Sequence, residues 1–323
     1  MHAPPIAISR AIFDDQLAQL QEHFQVVHNQ ADTPLGAALA KHAGGAQALL
    51  ATAADPIDAA LMDGCPGLKI IANIAVGYNN IDVAAASARG IMVTNTPGVL
   101  TETTADMAFA LLMACARHVP QSERWLREGK WEKWALQQWL GKDVHGATLG
   151  IVGMGRIGAA VGRRASGFGM HLAYHNRTES LEAKVLNARW LSLDDLLKAA
   201  DFVVLVLPYS KETHHFIGAR ELALMKRDAI LVNIARGGIV DDAALVEALQ
   251  QKRIGGAGLD VFENEPAFDR RFLALDNAVL TPHIGSASAA TRRAMAALAI
   301  RNLRAGLAGE VPPNLVNPQV LQK

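Results

Sequence analysis

Short apolar runs alternate along this chain with stretches whose apolar positions recur every three or four residues. That pattern predicts strands and amphipathic helices in turn, as in an α/β protein with a mainly parallel sheet. IAISR, ALLATA, LKIIANIAV and IMVTN read as strands of a first unit, with helical patterns such as DPIDAALMDG and NIDVAAASARG between them. Near Thr101 the pattern changes, and TETTADMAFALLMACARHVPQSERWL reads as one long helix broken only at Pro120. A passage holding Trp131, Trp134 and Trp139 follows. A second series of strands then begins at ATLGIVGMGRIG and runs through HLAYH, FVVLVLP, AILVNIA, GAGLDVF and AVLTPH. The closing stretch, SASAATRRAMAALAIRNLRAGLAG, predicts a helix that ends at glycine ahead of a proline-rich tail. It has no strand partner of its own, so it is expected to pack back on the first unit. Residues 1–100 with 288–323 would then form a discontinuous domain, and residues 101–287 a continuous one.

Length and composition agree with two soluble domains: 323 residues exceed what one hydrophobic core usually holds, and half of them are hydrophobic. The 31 basic residues balance 31 acidic ones, so no charge excess points to nucleic acid or a membrane surface as partner. The start of the chain, MHAPPIAISRAIFDD, lacks the features of a secretory signal, and no apolar run approaches the ~20 residues of a membrane span. A cytoplasmic protein is expected. Cys65 and Cys115 are spaced for neither a disulfide framework nor a zinc site, so buried thiols are expected and no metal is invoked.

TLGIVGMGRIG places a buried-type strand directly before Gly153, Gly155 and Gly158, and a helical pattern directly after. In a dinucleotide-binding turn the first glycine permits the tight bend, the second lets backbone approach a pyrophosphate and the third lets helix and strand pack closely. The alternative is a plain glycine-rich turn. With the strand and helix around it, the motif predicts a nucleotide-binding second unit; with the alternation along the rest of the chain, the fold expected is two Rossmann-like, doubly wound parallel-sheet domains, the first discontinuous. The next strand ends at YHNRTES, where an acid would accept from both ribose hydroxyls of NAD, yet Asn176, Arg177 and Thr178 come before any acid. A guanidinium grips a 2′-phosphate with parallel charge-assisted bonds. NADP(H) is therefore preferred, with NAD(H) accepted if Arg177 is only a solvated loop charge.

Three remote segments, each following a strand of the second unit, should gather at the carboxyl edge of its sheet: NIARGG with Arg236, GLDVFENEP with Asp260 and Glu265, and TPHIGSAS with His283. They supply a fixed cation for a carboxylate, a proton donor and an acid to orient that donor. Singly, each residue has a structural explanation. Together they make a catalytic set.

Here the sequence resembles the D-isomer-specific 2-hydroxyacid dehydrogenases, and among them the glyoxylate/hydroxypyruvate reductases, a group with 2-ketogluconate-reducing members. ANIAVGYNNIDVAAASARGI, NTPGVLTETTADMAFALLMA, GIVGMGRIG, LPYSKETHHFI, NIARGGIVDDAAL, GLDVFENEP and TPHIGSAS carry the resemblance over nearly the whole chain. It implies a substrate-binding, flavodoxin-like domain in residues 1–100 with 288–323, and a nucleotide-binding domain with a dimerisation helix and tryptophan-rich loop in 101–287. It also implies that His283 is the general acid and base, Glu265 its acidic partner and Arg236 the ligand of the substrate carboxylate and carbonyl. Val76 and Gly77 match the loop whose amides hold the carboxylate. Thr104, Ala235, Arg236 and Asp260 match positions near the nicotinamide, Arg156 and Ile157 those beside the pyrophosphate, and Leu207 and Pro208 the end of a strand along the cofactor. Val76 stands where phosphite-oxidising relatives carry a lysine, so that activity is not expected.

The implied reaction is NADPH-dependent reduction of small 2-oxo acids, glyoxylate and hydroxypyruvate, to glycolate and D-glycerate. A 2-ketogluconate reductase is the alternative, and a nucleotide-sensing corepressor without catalysis a more distant one. A homodimer is implied too, with Trp139 the candidate to reach a neighbouring active site; tryptophans that only pack an interface are the plainer reading.

Overall fold

The computed structural model describes residues 3–36 and 38–322. The chain forms two compact units, Met1–Leu100 with Ser288–Lys323, and Thr101–Ala287. The first holds five strands, β1 (Pro5–Ile8), β2 (Gln25–His28), β3 (Ala48–Ala51), β4 (Ile70–Asn73) and β5 (Met92–Thr94). They pair in parallel in the order β2-β1-β3-β4-β5. Central strands β3 and β4, ALLA and IIAN, are buried throughout, as expected where helices cover both faces of a parallel sheet. Edge strand β2, QVVH, is half-exposed. With only two apolar residues it lacks a hydrophobic run, which is why the pattern passes over it.

The closing helix, Ala289–Leu307, belongs to this first unit. Its Ala299, Ile300 and Leu303 share a core with Ile6, Ile8, Leu50 and Ile70, and each such aliphatic side chain adds about 1.5–3 kcal/mol by leaving water. Ser288 caps its start by accepting from the Thr291 N–H at 3.2 Å, and Gly309, with φ +77°, takes the left-handed conformation just beyond its end. The tail is fixed by Asn317, whose side chain accepts from Val93 N–H and donates to the Ile91 carbonyl.

The second unit holds seven strands: β6 (Thr148–Val152), β7 (His171–His175), β8 (Arg189–Trp190), β9 (Phe202–Leu205), β10 (Ile230–Asn233), β11 (Gly256–Leu259) and β12 (Ala278–Leu280). All pair in parallel, in the order β12-β11-β10-β9-β6-β7-β8. The chain winds outward from β6 through β7 to β8, then returns to β9 on the other flank. The topological switch point therefore lies between β6 and β9, where open α/β sheets bind ligands. Strand β8, two exposed residues, is too short to leave a pattern.

The long helix predicted from Thr101 is two helices, α1 (Thr101–Ala116) and α2 (Val119–Arg127). The chain turns at Arg117–His118, with His118 left-handed at φ 52°. Pro120 does not break a helix; it lies in the first turn of α2, where its missing N–H is not needed. Two further helices frame the sheet edge, α3 (Arg156–Gly167) after β6 and α4 (Asp242–Gln250) after β10. Cys65 and Cys115 are both buried and unpaired, and burial pushes the Cys115 thiol up to about 12. Among the described residues no helix is long and apolar enough to cross a membrane.

Candidate active site

The glycine turn is shaped by what its missing Cβ atoms would strike. Gly153 has φ +103°, and a Cβ there would stand 2.8 Å from the Leu207 nitrogen. At Gly158 it would stand 2.4 Å from the Gly153 carbonyl. These two glycines let β6, α3 and the segment after β9 close on one another. Gly155 differs: nothing lies within 4 Å of its Cβ position. It leaves open space at the N-terminus of α3, where the first-turn N–H groups of Arg156 and Ile157 and the helix dipole favour an anion. A dinucleotide's pyrophosphate fits that opening.

Asn176 follows β7 and braces this turn. Its side-chain oxygen accepts from Met154 N–H at 2.7 Å and its side-chain amide donates to the Met154 carbonyl at 3.3 Å. Arg177 and Thr178 are exposed beyond it, and Arg177 is near enough to Glu212 to help hold that carboxyl below its ordinary value, behind Ser210 and the backbone. Among the sequence-predicted ribose-side residues, two are open to a ligand and one is a structural brace.

The histidine–glutamate pair is built on two loops. His283 Nδ1 lies 2.7 Å from Glu265 Oε2, while Glu265 Oε1 accepts from the Phe262 N–H at 2.7 Å. The carboxylate is thus fixed from one side and fixes the imidazole from the other. Among the described residues no protein group hydrogen-bonds to His283 Nε2. His283 itself is left-handed, φ 53°, a conformation that costs a non-glycine residue about 1–3 kcal/mol.

Asp260 shows what holds that turn. It is buried at the end of β11, and its carboxylate accepts from Thr281 Oγ1 (2.6 Å), Ile284 N–H (2.8 Å) and Gly285 N–H (2.7 Å). The His283 N–H donates to the Asp260 carbonyl at 2.9 Å. Asp260 therefore anchors the loop bearing the imidazole. Thr104 of α1 lies against the same turn, 3.7 Å from the Cβ position of Gly285.

Arg236 follows β10 on a turn shaped by Asn233, which is buried; its side chain donates to the Arg236 carbonyl at 3.2 Å and accepts from Ala235 N–H at 3.1 Å. The Arg236 guanidinium donates to the Ala235 carbonyl at 2.8 Å. Burial pushes it below its ordinary value, and the neighbouring Glu265 carboxylate opposes that shift. Arg236, Glu265 and His283 thus gather at one sheet edge, on the side where the glycine turn and Leu207–Pro208 also lie. Asn233 and Thr281 are the supports that the sequence reading missed. Their signal was a polar residue where a buried strand gives way to its loop.

Two neighbouring features complete the picture. His214, His215 and Glu263 form a compact group of possible metal donors. Its hydrogen bonds already account for it: His215 Nε2 pairs with Glu263 at 2.8 Å, His214 Nδ1 with the Tyr209 hydroxyl at 3.2 Å, and the two rings stack at 3.9 Å. Trp139 packs edge-on against Trp125 at 5.9 Å and near His118 at 6.4 Å, and stays 39% exposed. In the first unit, Val76 and Gly77 form a half-buried loop directly after β4.

A seven-stranded parallel sheet with a phosphate-type glycine turn and an acid-paired histidine at its carboxyl edge is the framework of an NAD(P)-dependent oxidoreductase. Residues 109–285 match the family described as "D-isomer specific 2-hydroxyacid dehydrogenase, NAD binding domain". The chain is 49% identical to a glyoxylate reductase of Thermococcus onnurineus, over 98% of this chain and 97% of the relative. It is 46% identical to a glyoxylate/hydroxypyruvate reductase B of Citrobacter koseri, over 98% and 99%. Among solved structures, an NADPH-dependent glyoxylate/hydroxypyruvate reductase of Sinorhizobium meliloti, in complex with NADP and malonate, superposes with a TM-score of 0.89. That pair is 37% identical, with 98% of each chain covered. The chain belongs to the D-isomer specific 2-hydroxyacid dehydrogenase family.

Proposed function

We propose that this protein reduces glyoxylate and hydroxypyruvate to glycolate and D-glycerate, with NADPH preferred over NADH. The observation that carries the reading is the His283–Glu265 pair at 2.7 Å, beside Arg236 and on the sheet edge of the glycine turn. The activities for which relatives at 49% and 46% identity are named agree with it.

A nicotinamide dinucleotide seated on the turn after β6 would supply the hydride. The amides of Arg156 and Ile157 would hold its pyrophosphate, and Ala235, Leu207, Pro208 and Thr104 would border the dinucleotide. Arg236 grips the substrate's carboxylate and carbonyl oxygen through two planar donors, an orientation a lysine does not impose. Glu265 fixes the imidazole by Nδ1, so His283 donates its proton from Nε2 to the carbonyl oxygen as the alcohol forms. In the oxidative direction the neutral ring takes the hydroxyl proton. In the first unit, the amides of Val76 and Gly77 are donors suited to a carboxylate.

Preference for NADPH rests on Arg177 and Thr178, exposed after β7 with no acid until Glu179. The relative crystallised with NADP supports this. We infer a homodimer built on α2 and the tryptophan-rich loop.

Steady-state kinetics with both cofactors across glyoxylate, hydroxypyruvate, pyruvate and 2-ketogluconate test the reading. Glyoxylate and hydroxypyruvate should give the highest kcat/KM, and Arg177→Asp should shift the cofactor ratio toward NADH by at least tenfold, about 1.4 kcal/mol. Faster turnover of 2-ketogluconate would reassign the substrate, and an unaltered ratio would place the phosphate elsewhere.

A further inference from the structure

The loop after β4 ties down three carbonyls in succession. That of Ala75 accepts from Thr96 N–H at 2.8 Å, that of Val76 from Asn95 Nδ2 at 2.8 Å and that of Gly77 from Asn73 Nδ2 at 2.9 Å. In a trans peptide the carbonyl and the N–H that follows it point in opposite directions, and these bonds are trans. All three anchors sit at the ends of β4 and β5. The N–H groups of Val76, Gly77 and Tyr78 are therefore turned away from those strand ends. Among the described residues none of the three has an acceptor. Successive N–H groups left in this way are donors available to an anion.

The anchors are themselves braced. Asn73 is fully buried, and its amide also reaches Asn80 Oδ1 at 3.3 Å. Asn80 in turn donates to the carbonyls of Thr52 and Asp55, both at 3.0 Å. Asp55 accepts from Ser9 at 2.6 Å and Arg10 at 3.1 Å. One continuous chain of polar contacts thus links Gly77 to the loops after β1 and β3. Among the described residues Asn73 Oδ1 and Thr96 Oγ1 are buried without partners, an unfavourable arrangement for packing alone. A buried amide that uses its donor on a loop carbonyl and leaves its oxygen unmatched is placed for that loop.

We propose that Asn73 and Asn95 are positioning residues that hold the amides of Val76, Gly77 and Tyr78 as a three-donor cradle for the substrate carboxylate. This rests on the reading of the protein as a 2-oxo acid reductase. Neither asparagine touches the substrate; each sets the direction of a peptide plane that does.

Asn95→Leu keeps the bulk and removes the donor. The KM for glyoxylate and the inhibition constant of oxamate should both rise about 5- to 10-fold, the effect of one net hydrogen bond. The kcat should stay within about twofold and the NADPH dissociation constant near wild type, because the amides act on the carboxylate and not on hydride or proton transfer. Asn73→Ala should show the same split, and Asn95→Ser repeats the comparison if the leucine variant fails to bind NADPH. Unchanged KM and inhibition constant, or a fall in kcat at constant KM, would overturn the proposal. If the wild type turns over no 2-oxo acid, the reductase reading falls by itself. Calorimetric titration with oxalate then decides the cradle: tighter binding by wild type than by Asn95→Leu keeps it, and equal binding removes it.

Discussion

His283 presents a single free nitrogen, because Glu265 and the backbone turn between them fix the rest of the ring. Removing the imidazole in His283→Ala should lower kcat by about 10² to 10⁴, the usual contribution of positioned proton transfer. NADPH fluorescence quenching should persist, since no part of the glycine turn depends on this side chain; turnover at the wild-type rate would remove His283 from its role. A second residue nearby sets a pH dependence. Asp242, buried at the start of α4, accepts from Glu263 N–H at 3.0 Å. Burial, with the charges of Glu263, Asp269 and Asp241, pushes its carboxyl up to about 6 from 3.8. The folded state therefore holds this proton to higher pH than the unfolded chain does. The stability this confers is complete below about pH 4 and is lost as the pH rises through about 6. Asp242→Asn, which mimics the protonated form, should melt higher than wild type at pH 7.5 by at most roughly 3 kcal/mol of stability. The gap should close at pH 4, and a gap independent of pH would assign the effect to packing.

At the scale of elements, the turn from β6 into α3 is the most sharply determined piece of the fold. Gly158→Ala would set a methyl group 2.4 Å from the Gly153 carbonyl, so α3 must shift and its amides with it. NADPH affinity should fall at least tenfold while kcat at saturating cofactor changes little, and wild-type affinity would show that the helix can yield. This turn was legible in the sequence because glycine is the residue type the contact demands. The central strands were legible for a related reason: buried on both faces, they leave unbroken apolar runs. Edge strands β2 and β8 were not, since half-exposed or two-residue strands leave no run. Nor was the end of α1, where the left-handed His118 makes the turn and Pro120 merely begins the next helix. Among site residues, the types that do chemistry stood out, while their supports did not. Asn233, Asn73, Asn95 and Thr281 work through backbone carbonyls, N–H groups or a buried carboxylate. Only the folded chain brings those partners within reach. Asp260 was visible, but its three hydrogen bonds to the histidine turn were not.

At the scale of the whole molecule, one stretch of the second unit keeps several large apolar side chains exposed. Helix α2 buries no residue completely, and in the loop after it Trp134 is 74% and Leu136 76% exposed, with Leu126, Trp131 and Leu140 also open. Exposed apolar side chains of this kind are the material of an interface, and a stable one needs about 1,200 Å² or more buried in total. A second copy of this chain, meeting the first through a two-fold axis, would cover the same patch on both subunits. Light scattering should therefore give twice the chain mass for wild type and a single chain for the double variant Leu126→Glu, Trp134→Glu, whereas a monomeric wild type would end the dimer reading. The same pair of proteins tests Trp139, which already rests on Trp125 and His118 of its own chain. If Trp139 helps to choose the substrate in the neighbouring subunit, the monomeric variant must lose glyoxylate affinity while keeping NADPH affinity. If both affinities survive dissociation, the tryptophans serve the interface alone, and discrimination among 2-oxo acids rests with residues of a single chain.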